Sequence, residues 1–278
     1  MTKAKDKKIA PIRLMARDVA IIMAVHENRF LSRDQIQRLH FVGVSVQMCC
    51  GRLKKLSDQR FLARLRRSVA VGSSQAVFGL DKRGADVVAT SLEVGRGKVR
   101  WTRDSNRVEW MFMDHTLGVS EIKVCLDITL ARRPEEIFFY QRGDRSHLRR
   151  INMIGAKKKY FVVAPDAFFG IKSGRGKHIF FLEVDMGTEP LSRFAEKVVA
   201  YKRYWKSRQY TEEYGFNHFR VLTVAESERR LANLIKATGK AGGRQMFLFT
   251  TFGAIHASSP LGSIWLSPFL DSPTSLLE

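Results

Sequence analysis

The sequence predicts a mixed α/β (α+β) protein with two domains. At 278 residues the chain is longer than most single domains. Apolar residues at helical spacing dominate its first part, whereas continuous apolar runs typical of buried strands alternate with helices in the rest. A glycine- and arginine-rich stretch with little periodicity separates the two parts. We therefore expect a basic tail at 1–14, a first domain at 15–93, a basic linker at 94–110 and a second domain at 111–278.

The charge balance predicts an anionic polymer as partner. Lysine and arginine outnumber aspartate and glutamate 48 to 27, which gives a formal net charge of +21, far more than solubility requires. A membrane is disfavoured as partner, because no stretch approaches ~20 apolar residues and no basic amphipathic helix has an aromatic face. The N-terminus lacks the apolar run of a secretory signal, so we expect a cytoplasmic protein. The cysteines, Cys49, Cys50 and Cys125, fit neither a zinc site nor a disulfide framework and are interpreted as small buried apolar residues.

Three helices are predicted in the first part of the first domain. The first extends from Arg17 to Asn28 and is strongly apolar. Ser32 caps the second, and Gln35 stands where a capping box has its second polar residue. A turn containing Gly43 leads into the third helix, which begins at Ser45 and has one apolar and one basic face. Two helices joined by such a turn, the second with a basic outer face, indicate a helix-turn-helix.

A β-hairpin after these helices completes a winged helix-turn-helix. Phe61 to Arg67 alternates apolar and basic residues, Ala76 to Leu80 returns, and Asp81 through Thr90 is expected to form a closing helix. The start of the third helix would meet base edges, and nearby basic residues would meet phosphates. The candidates for base or groove contact are Ser45, Gln47 and Arg52, and those for phosphate contact are Lys54, Lys55, Arg64, Arg66 and Arg67. The alternative is a small helical domain with solvated charged faces.

The second domain is predicted to alternate helices and strands around a sheet. Its first helix is expected to follow His115 and to end at Ala131. The predicted strands are Glu136 to Gln141, Lys159 to Phe169, His178 to Asp185, Phe219 to Val224 and Gln245 to Thr250. The further predicted helices are Glu189 to Arg208 and Glu226 to Lys236.

Acidic residues lie at the ends of two predicted strands. Asp166 ends one apolar run, and Glu183 and Asp185 end the run IFFLEVD, where alternation points both carboxylates to one side. Such oxygens suit Mg²⁺ or Mn²⁺, the cofactor that we expect for phosphodiester chemistry. The predicted metal ligands are Asp166, Glu183 and Asp185, and the predicted catalytic residues are these three together with Lys197.

Lys197 is included because the helix after these strands has a polar face. Its residues recur every four positions: Glu189, Arg193, Lys197 and Tyr201. This face follows the strand ends directly, so Lys197 could reach the carboxylates. An ordinary salt-bridged helix face would have the same pattern. Glu121, on the helix that opens the domain, could add a fourth carboxylate.

The order helix, three strands, helix and strand, with Pro165-Asp166 followed by Glu183-Val184-Asp185, resembles the PD-(D/E)xK nuclease fold. That fold usually has a lysine where this chain has Asp185. Lys197 on the next helix matches the relocated lysine of some members. Without that relocation, the resemblance implies a degenerate, DNA-binding relative.

Longer strings extend the resemblance to most of the chain. They are RDVAIIMAVHENRFLSRDQIQRLHF, LDKRGADVV, and PDA followed by LEVDMGTEPLSRFAEKVVAY. Over this length the chain resembles the replication-relaxation family of plasmid and conjugative-element proteins. The resemblance implies a role in plasmid replication, DNA relaxation or DNA mobilisation during conjugation.

Two functions remain open. In one, the protein binds duplex DNA and its second domain nicks that DNA with a metal ion. In the other, it is a non-catalytic accessory protein or transcriptional repressor, and the second domain serves dimerisation or docking. Double-stranded DNA is the expected partner in both, with relaxase or replication proteins of the same element and a homodimer as further candidates. A tyrosine nucleophile at Tyr201 or Tyr204 is disfavoured for lack of a histidine cluster, and RNA for lack of an aromatic sheet motif.

Overall fold

The computed structural model describes residues 12–66, 75–143, 149–152 and 160–278. Helices and sheets are both present, so the predicted mixed α/β class is confirmed. The chain forms two compact units, of which the first ends at Val124 and the second begins at Cys125. This division falls within one helix, Trp110–Leu130.

The first unit combines helices with a small sheet. In chain order its elements are α1 (Ala16–Asn28), β1 (Phe30–Ser32), α2 (Arg33–His40), α3 (Val46–Asp58), β2 (Leu62–Leu65), β3 (Val77–Leu80), α4 (Lys82–Ser91) and the first part of α5 (Trp110–Leu130). The sheet is antiparallel in the order β1-β3-β2, with Leu31 and Arg64 on either side of Phe78. The predicted helices and both strands of the predicted hairpin are confirmed, whereas β1 is an addition to them.

Local sequence sets the starts of α2 and α3. Ser32 Oγ accepts a hydrogen bond from the Gln35 N–H at 3.2 Å, and Gln35 Oε1 accepts one from the Ser32 N–H at 2.9 Å. This is the predicted capping box, which satisfies N–H groups that the helix start leaves unpaired. Ser45 caps α3 by accepting from the Met48 N–H at 3.4 Å. The turn between the two helices passes through Gly43, whose φ of 71° favours glycine.

One apolar core joins the elements of this unit. Its buried residues include Ile21, Ile22 and Val25 of α1 and Cys49, Leu53 and Leu56 of α3. Val99 belongs to the same core, and Trp101 packs against it while its Nε1 donates to the Leu80 carbonyl at 2.7 Å. Val99 and Trp101 fall within the predicted linker, so part of that stretch packs onto the first unit.

The second unit is built on a five-stranded sheet. Its elements are the rest of α5, β4 (Glu136–Arg142), β5 (Arg149–Asn152), β6 (Tyr160–Val163), β7 (Ala167–Ser173), β8 (Gly176–Asp185), α6 (Leu191–Ser207), α7 (Gln209–Tyr214), β9 (Arg220–Ala225), α8 (Glu228–Lys240), β10 (Phe247–Thr251) and α9 (Phe252–Ala257). The strand order is β10-β9-β8-β7-β4. Strands β8, β9 and β10 are parallel, and β7 is antiparallel to both β8 and β4. Strands β5 and β6 form a separate antiparallel pair.

The predicted strand Lys159 to Phe169 is wrong in one respect, because β6 and β7 are separate strands in different sheets. The break falls at Pro165, which has no N–H to donate to a ladder. Directly after it, the Asp166 N–H donates to the Leu182 carbonyl at 2.8 Å, so the chain joins β8 at this point. Strand β5 and the short helices α7 and α9 have no counterpart in the sequence prediction.

Aromatic rings fill the space between the sheet and α6. Phe168 stacks on Phe181 with ring centroids 4.7 Å apart, and Phe181 contacts Tyr201 and Tyr204 of α6. Trp265 is fully buried, and its Nε1 donates to a carbonyl of the same unit at 2.9 Å. The apolar segment near the C-terminus that contains Trp265 and Leu266 therefore packs on its own unit at Trp265.

The three cysteines are free, but only two of them are buried. Cys49 and Cys125 are buried, whereas Cys50 is exposed. The prediction is wrong for Cys50 because neighbouring residues of a helix point about 100° apart, and only one of the pair faces the core. Burial raises the pKa of the Cys49 thiol to about 11. Within the described ranges, no helix combines the length and the apolar character needed to cross a membrane.

Candidate functional site

Three of the four predicted catalytic residues lie together in the second unit. Lys197 on α6 has its Nζ 3.0 Å from Glu183 Oε2 on β8, and the same Nζ lies 3.0 Å from Glu189 Oε2. Asp166, which precedes β7, acts electrostatically on both Glu183 and Lys197. We call Asp166, Glu183, Glu189 and Lys197 the carboxylate–lysine cluster.

The sheet register brings Asp166 beside Glu183. Ala167 of β7 pairs with Leu182 of β8, and the Val184 N–H donates to Asp166 Oδ2 at 2.7 Å. These contacts hold the Asp166 carboxylate at the start of β7, next to the strand residue that carries the Glu183 carboxylate. The pairing of two antiparallel strands therefore joins residues that are remote in sequence.

Helical spacing brings a tyrosine into the same site. Tyr201 follows Lys197 by about one turn of α6, and its hydroxyl donates to Glu183 Oε1 at 2.6 Å. Tyr201 and Tyr204 are 2% and 0% exposed. Because neither hydroxyl is open to a DNA strand, the structure gives a further reason against a tyrosine nucleophile.

Burial governs the protonation of the cluster. Glu183 is 3% exposed, and burial, with the nearby charge of Asp166, raises its pKa to about 7 against the opposing effect of Lys197. Burial acts to lower the pKa of Lys197, but attraction to Glu183 and Glu189 outweighs it, and the net shift is upward. Lys197 is therefore protonated at neutral pH. Burial and the charge of Glu183 also raise the pKa of Tyr201, which keeps its proton.

The predicted metal ligand Asp185 has a different partner. Arg230 of α8 donates to both carboxylate oxygens, from Nε to Oδ1 and from Nη2 to Oδ2, each at 2.8 Å. The Gly187 N–H also donates to Asp185 Oδ1 at 2.8 Å, and Arg230 donates to the Glu189 carbonyl. The side chains of Asp185 and Arg230 are only 4% and 15% exposed. Asp185 thus links the turn between β8 and α6 to helix α8. It lies outside the carboxylate–lysine cluster.

The chemistry of the cluster fits a divalent cation. Mg²⁺ and Mn²⁺ prefer carboxylate oxygens and are commonly held by one or two carboxylates together with water. Asp166 and Glu183 offer such oxygens side by side, and an oxygen that accepts one hydrogen bond keeps a further lone pair. Asp166 and Glu183 are therefore the two residues that could hold the ion. Glu183 has the less freedom to do so, because Lys197 and Tyr201 each occupy one of its oxygens.

Most of the predicted DNA-binding residues are exposed on the first unit. Those on α3 and on or beside β2 are Gln47, Lys54, Lys55, Arg64 and Arg66. Ser45 is also exposed, but its hydroxyl caps α3. Arg67 lies outside the described residues. We call the exposed side of α3 the α3 outer face; it consists of Val46, Gln47, Met48, Cys50, Gly51, Lys54, Lys55 and Asp58.

Arg52 points away from the α3 outer face. Its Nε donates to Asp18 Oδ1 at 2.7 Å, and its Nη2 donates to Asp18 Oδ2 and, at 3.1 Å, to the Arg13 carbonyl. The Asp18 side chain is 0% exposed and that of Arg52 is 18% exposed. The predicted groove contact of Arg52 does not fit this position, because the guanidinium already pairs with a buried carboxylate.

We expect Arg52→Ala to destabilise the first unit rather than to remove only a DNA contact. The substitution leaves the Asp18 carboxylate buried without its ion pair, and breaking a buried pair from one side costs about 3–5 kcal/mol. Chemical denaturation should show this loss. Lys55→Ala, an exposed change on the same helix, should stay within ~0.5 kcal/mol of the wild type. Equal unfolding free energies for the two variants would contradict the structural role of Arg52.

Glu121 of α5 is engaged by α2 within the first unit. Arg38 Nη2 donates to both oxygens of Glu121, and Gln35 Nε2 donates to its Oε2 at 2.9 Å. The same Gln35 forms the capping box, so one side chain fixes the start of α2 and joins it to α5. Glu121 therefore has a structural partner instead of the role of a fourth catalytic carboxylate.

The two units together define a mixed α/β protein with an exposed basic helix in one unit and a carboxylate–lysine cluster in the other. The protein-family model described as Replication-relaxation matches residues 22–219, well over half of the chain. The chain therefore belongs to the replication-relaxation family, and the resemblance inferred from its sequence is confirmed. The matched region includes α3 and the whole carboxylate–lysine cluster. Neither a curated protein nor a solved structure matches this chain.

Proposed function

We propose that the protein binds double-stranded DNA of a plasmid or other mobile element and acts in its replication, relaxation or mobilisation. Its membership of the replication-relaxation family supports such DNA as the target. The observation that carries the proposal is the α3 outer face, where exposed Lys54 and Lys55 lie on a helix that is followed by exposed Arg64 and Arg66. The formal net charge of +21 adds long-range attraction to phosphate.

The order of elements in the first unit supports a winged helix-turn-helix as the binding module. A short turn joins α2 to α3, and β2 and β3 form an antiparallel hairpin after α3. In such a module the second helix of the pair enters the major groove, and neighbouring segments contact the DNA backbone. The N-terminal part of the α3 outer face would then meet bases, and Lys54, Lys55, Arg64 and Arg66 would meet phosphates.

Removing two exposed charges from this surface should weaken DNA binding through lost phosphate contacts. For the double variant Lys55→Ala/Arg64→Ala, the slope of log K against log[salt] should fall by about 2, one for each lost contact. Fluorescence anisotropy with a labelled duplex at several salt concentrations measures this slope. The matched control is Lys236→Ala/Lys240→Ala, which removes the same charge from exposed positions of α8. An equal change of slope in the control would refute the proposed surface.

The carboxylate–lysine cluster favours a second function, the cleavage of that DNA. Asp166 and Glu183 would hold Mg²⁺ or Mn²⁺, which supplies an activated water and stabilises negative charge on the phosphate. Lys197 contributes a positive charge beside the phosphate, and Tyr201 keeps Glu183 in one orientation through its hydrogen bond. Apart from the separate pair β5 and β6 and the short helix α7, the elements follow the order α5, β4, β7, β8, α6 and β9. This order supports a PD-(D/E)xK-like αβββαβ domain whose lysine has moved to α6.

The burial of Glu183 favours a non-catalytic alternative. Both of its oxygens accept hydrogen bonds, so Lys197 and Tyr201 can satisfy the buried carboxylate without a metal ion. The protein would then be an accessory protein or transcriptional repressor with a degenerate nuclease fold.

Nicking of supercoiled plasmid separates the two functions. Relaxase or replication proteins of the same element and a second copy of this chain are the protein partners proposed for both.

A further inference from the structure

The base-facing part of the α3 outer face carries no charge. Its N-terminal half presents Val46, Gln47, Met48 and Cys50, and Val46 and Met48 are 44% and 66% exposed. The lysines of this face, Lys54 and Lys55, follow in the C-terminal half. A recognition helix meets base edges with its N-terminal residues. The groups offered to the bases are therefore one amide and three apolar side chains.

No arginine of α3 is available to contact guanine. Arginine or lysine bonded to guanine O6 and N7 is the commonest base-specific contact in the major groove. Arg52 is the single arginine of α3, and it is bound to buried Asp18. Lys54 forms an ion pair with Asp58 one turn further along the helix. The N-terminal half of the helix, Val46 to Gly51, therefore contains neither the arginine nor the lysine that usually selects G·C pairs.

The groups that α3 does offer match A·T pairs. A glutamine side chain can form two hydrogen bonds with adenine N6 and N7, and apolar side chains contact the thymine methyl group. Gln47 is exposed, and its side chain forms no hydrogen bond with any residue that the structure describes. Val46 and Cys50 are one helical turn apart, so they form one apolar strip next to Gln47.

Gly51 removes bulk from the middle of the same face. Glycine is less favourable than alanine inside a helix, yet a Cβ at this position would meet no atom within 4 Å. The packing of the first unit therefore does not require glycine here. A partner that must come close to the helix backbone does require it, as a base pair in the major groove would.

We infer that the α3 outer face selects A·T base pairs in the major groove, with Gln47 bonded to adenine and with Val46 and Cys50 against thymine methyl groups. Gly51 lets the helix backbone approach these pairs. The inference rests on the proposed duplex binding and adds the class of base pair that the helix recognises.

Selection from a pool of duplexes with a randomised core, followed by sequencing, tests the base preference. The wild type should enrich a site with A·T pairs, and Gln47→Arg should change one of these positions to G·C, because arginine pairs with guanine. For the enriched duplex, Gln47→Ala should weaken affinity about 5- to 150-fold. Replacing thymine by uracil in that duplex removes only the methyl group, and it should weaken binding by the wild type.

Gly51→Ala gives a second test that separates stability from binding. It should raise Tm, because alanine favours the helix, and weaken binding to the enriched duplex. The matched control is Gly239→Ala in α8, where an added Cβ meets only Pro268 at 3.9 Å. This control should leave DNA binding unchanged. Wild-type affinity in Gly51→Ala would overturn the role of Gly51.

The outcomes distinguish this inference from the proposed function. Tight, salt-sensitive duplex binding without enrichment of any site would overturn the inference and leave duplex binding intact. Enrichment by the wild type of G·C pairs at the position that Gln47→Arg changes would have the same meaning. Absence of duplex binding by the wild type at low salt would refute the proposed function and the inference with it.

Discussion

Supercoiled plasmid incubated with the wild-type protein and Mg²⁺ is expected to become nicked, and Asp166→Asn and Glu183→Gln are each expected to slow nicking at least about 100-fold. Both substitutions keep the shape of the side chain and remove a negative charge that would hold the ion. The amide in Glu183→Gln can still accept a hydrogen bond from Tyr201, so the packing of α6 on β8 should be retained. The measurement is the rate of conversion of supercoiled to open-circular DNA.

The control for this experiment is Glu196→Gln, which makes the same chemical change at an exposed position of α6. It should nick plasmid at the wild-type rate. All three variants should bind duplex DNA with wild-type affinity. Nicking that persists in both cluster variants would remove Asp166 and Glu183 as the site of cleavage. Tight DNA binding by the wild type without nicking, in either Mg²⁺ or Mn²⁺, would favour the accessory or repressor function.

Asp185→Ala is expected to lower the stability of the second unit by about 3–5 kcal/mol, because it leaves Arg230 charged and largely buried without its partner. For a unit of this size, the loss corresponds to a fall in Tm of roughly 10 °C. The double variant Asp185→Leu/Arg230→Met removes both charges and should recover much of the stability. Asp271→Ala, at an exposed position, is the control and should unfold like the wild type.

Thermal unfolding of the full chain measures this effect, and the nicking assay separates the two roles of Asp185. If Asp185 is structural, Asp185→Ala lowers Tm. The double variant, assayed at a temperature where it is folded, then nicks plasmid at nearly the wild-type rate. A metal ligand would show the opposite pattern, an unchanged Tm and lost nicking. That pattern would restore the role in metal binding that the IFFLEVD motif predicts for Asp185.

Features that depend on neighbouring residues could be predicted from the sequence. The capping box of Ser32 and Gln35 joins residues three positions apart, and the structure has it as expected. Glu183 lies near the end of β8, and Lys197 lies in the first half of the next helix, α6. The polar face of that helix was therefore enough to predict their contact. The same spacing rule places Tyr201 one turn after Lys197, although nothing in the sequence pairs its hydroxyl with Glu183.

Features that depend on remote residues could not be predicted in this way. Arg52 has the spacing of a DNA-facing residue on a basic helix, but Asp18 on α1 turns it inward. Asp185 has the alternation of a second metal ligand, but Arg230 on α8 takes both of its oxygens. In each case the partner lies on an element that only the tertiary fold brings close. Charge pattern alone therefore cannot separate a buried ion pair from a binding residue.

Equilibrium titration of the wild-type protein with duplex DNA at different salt concentrations tests the central claim, that this protein binds DNA through exposed basic residues. We expect tight binding at low salt and a loss of affinity of about 10³-fold or more between roughly 50 and 200 mM salt, because several phosphate contacts release counterions. Affinity that does not change with salt, or absence of duplex binding at the lowest salt, would contradict the claim.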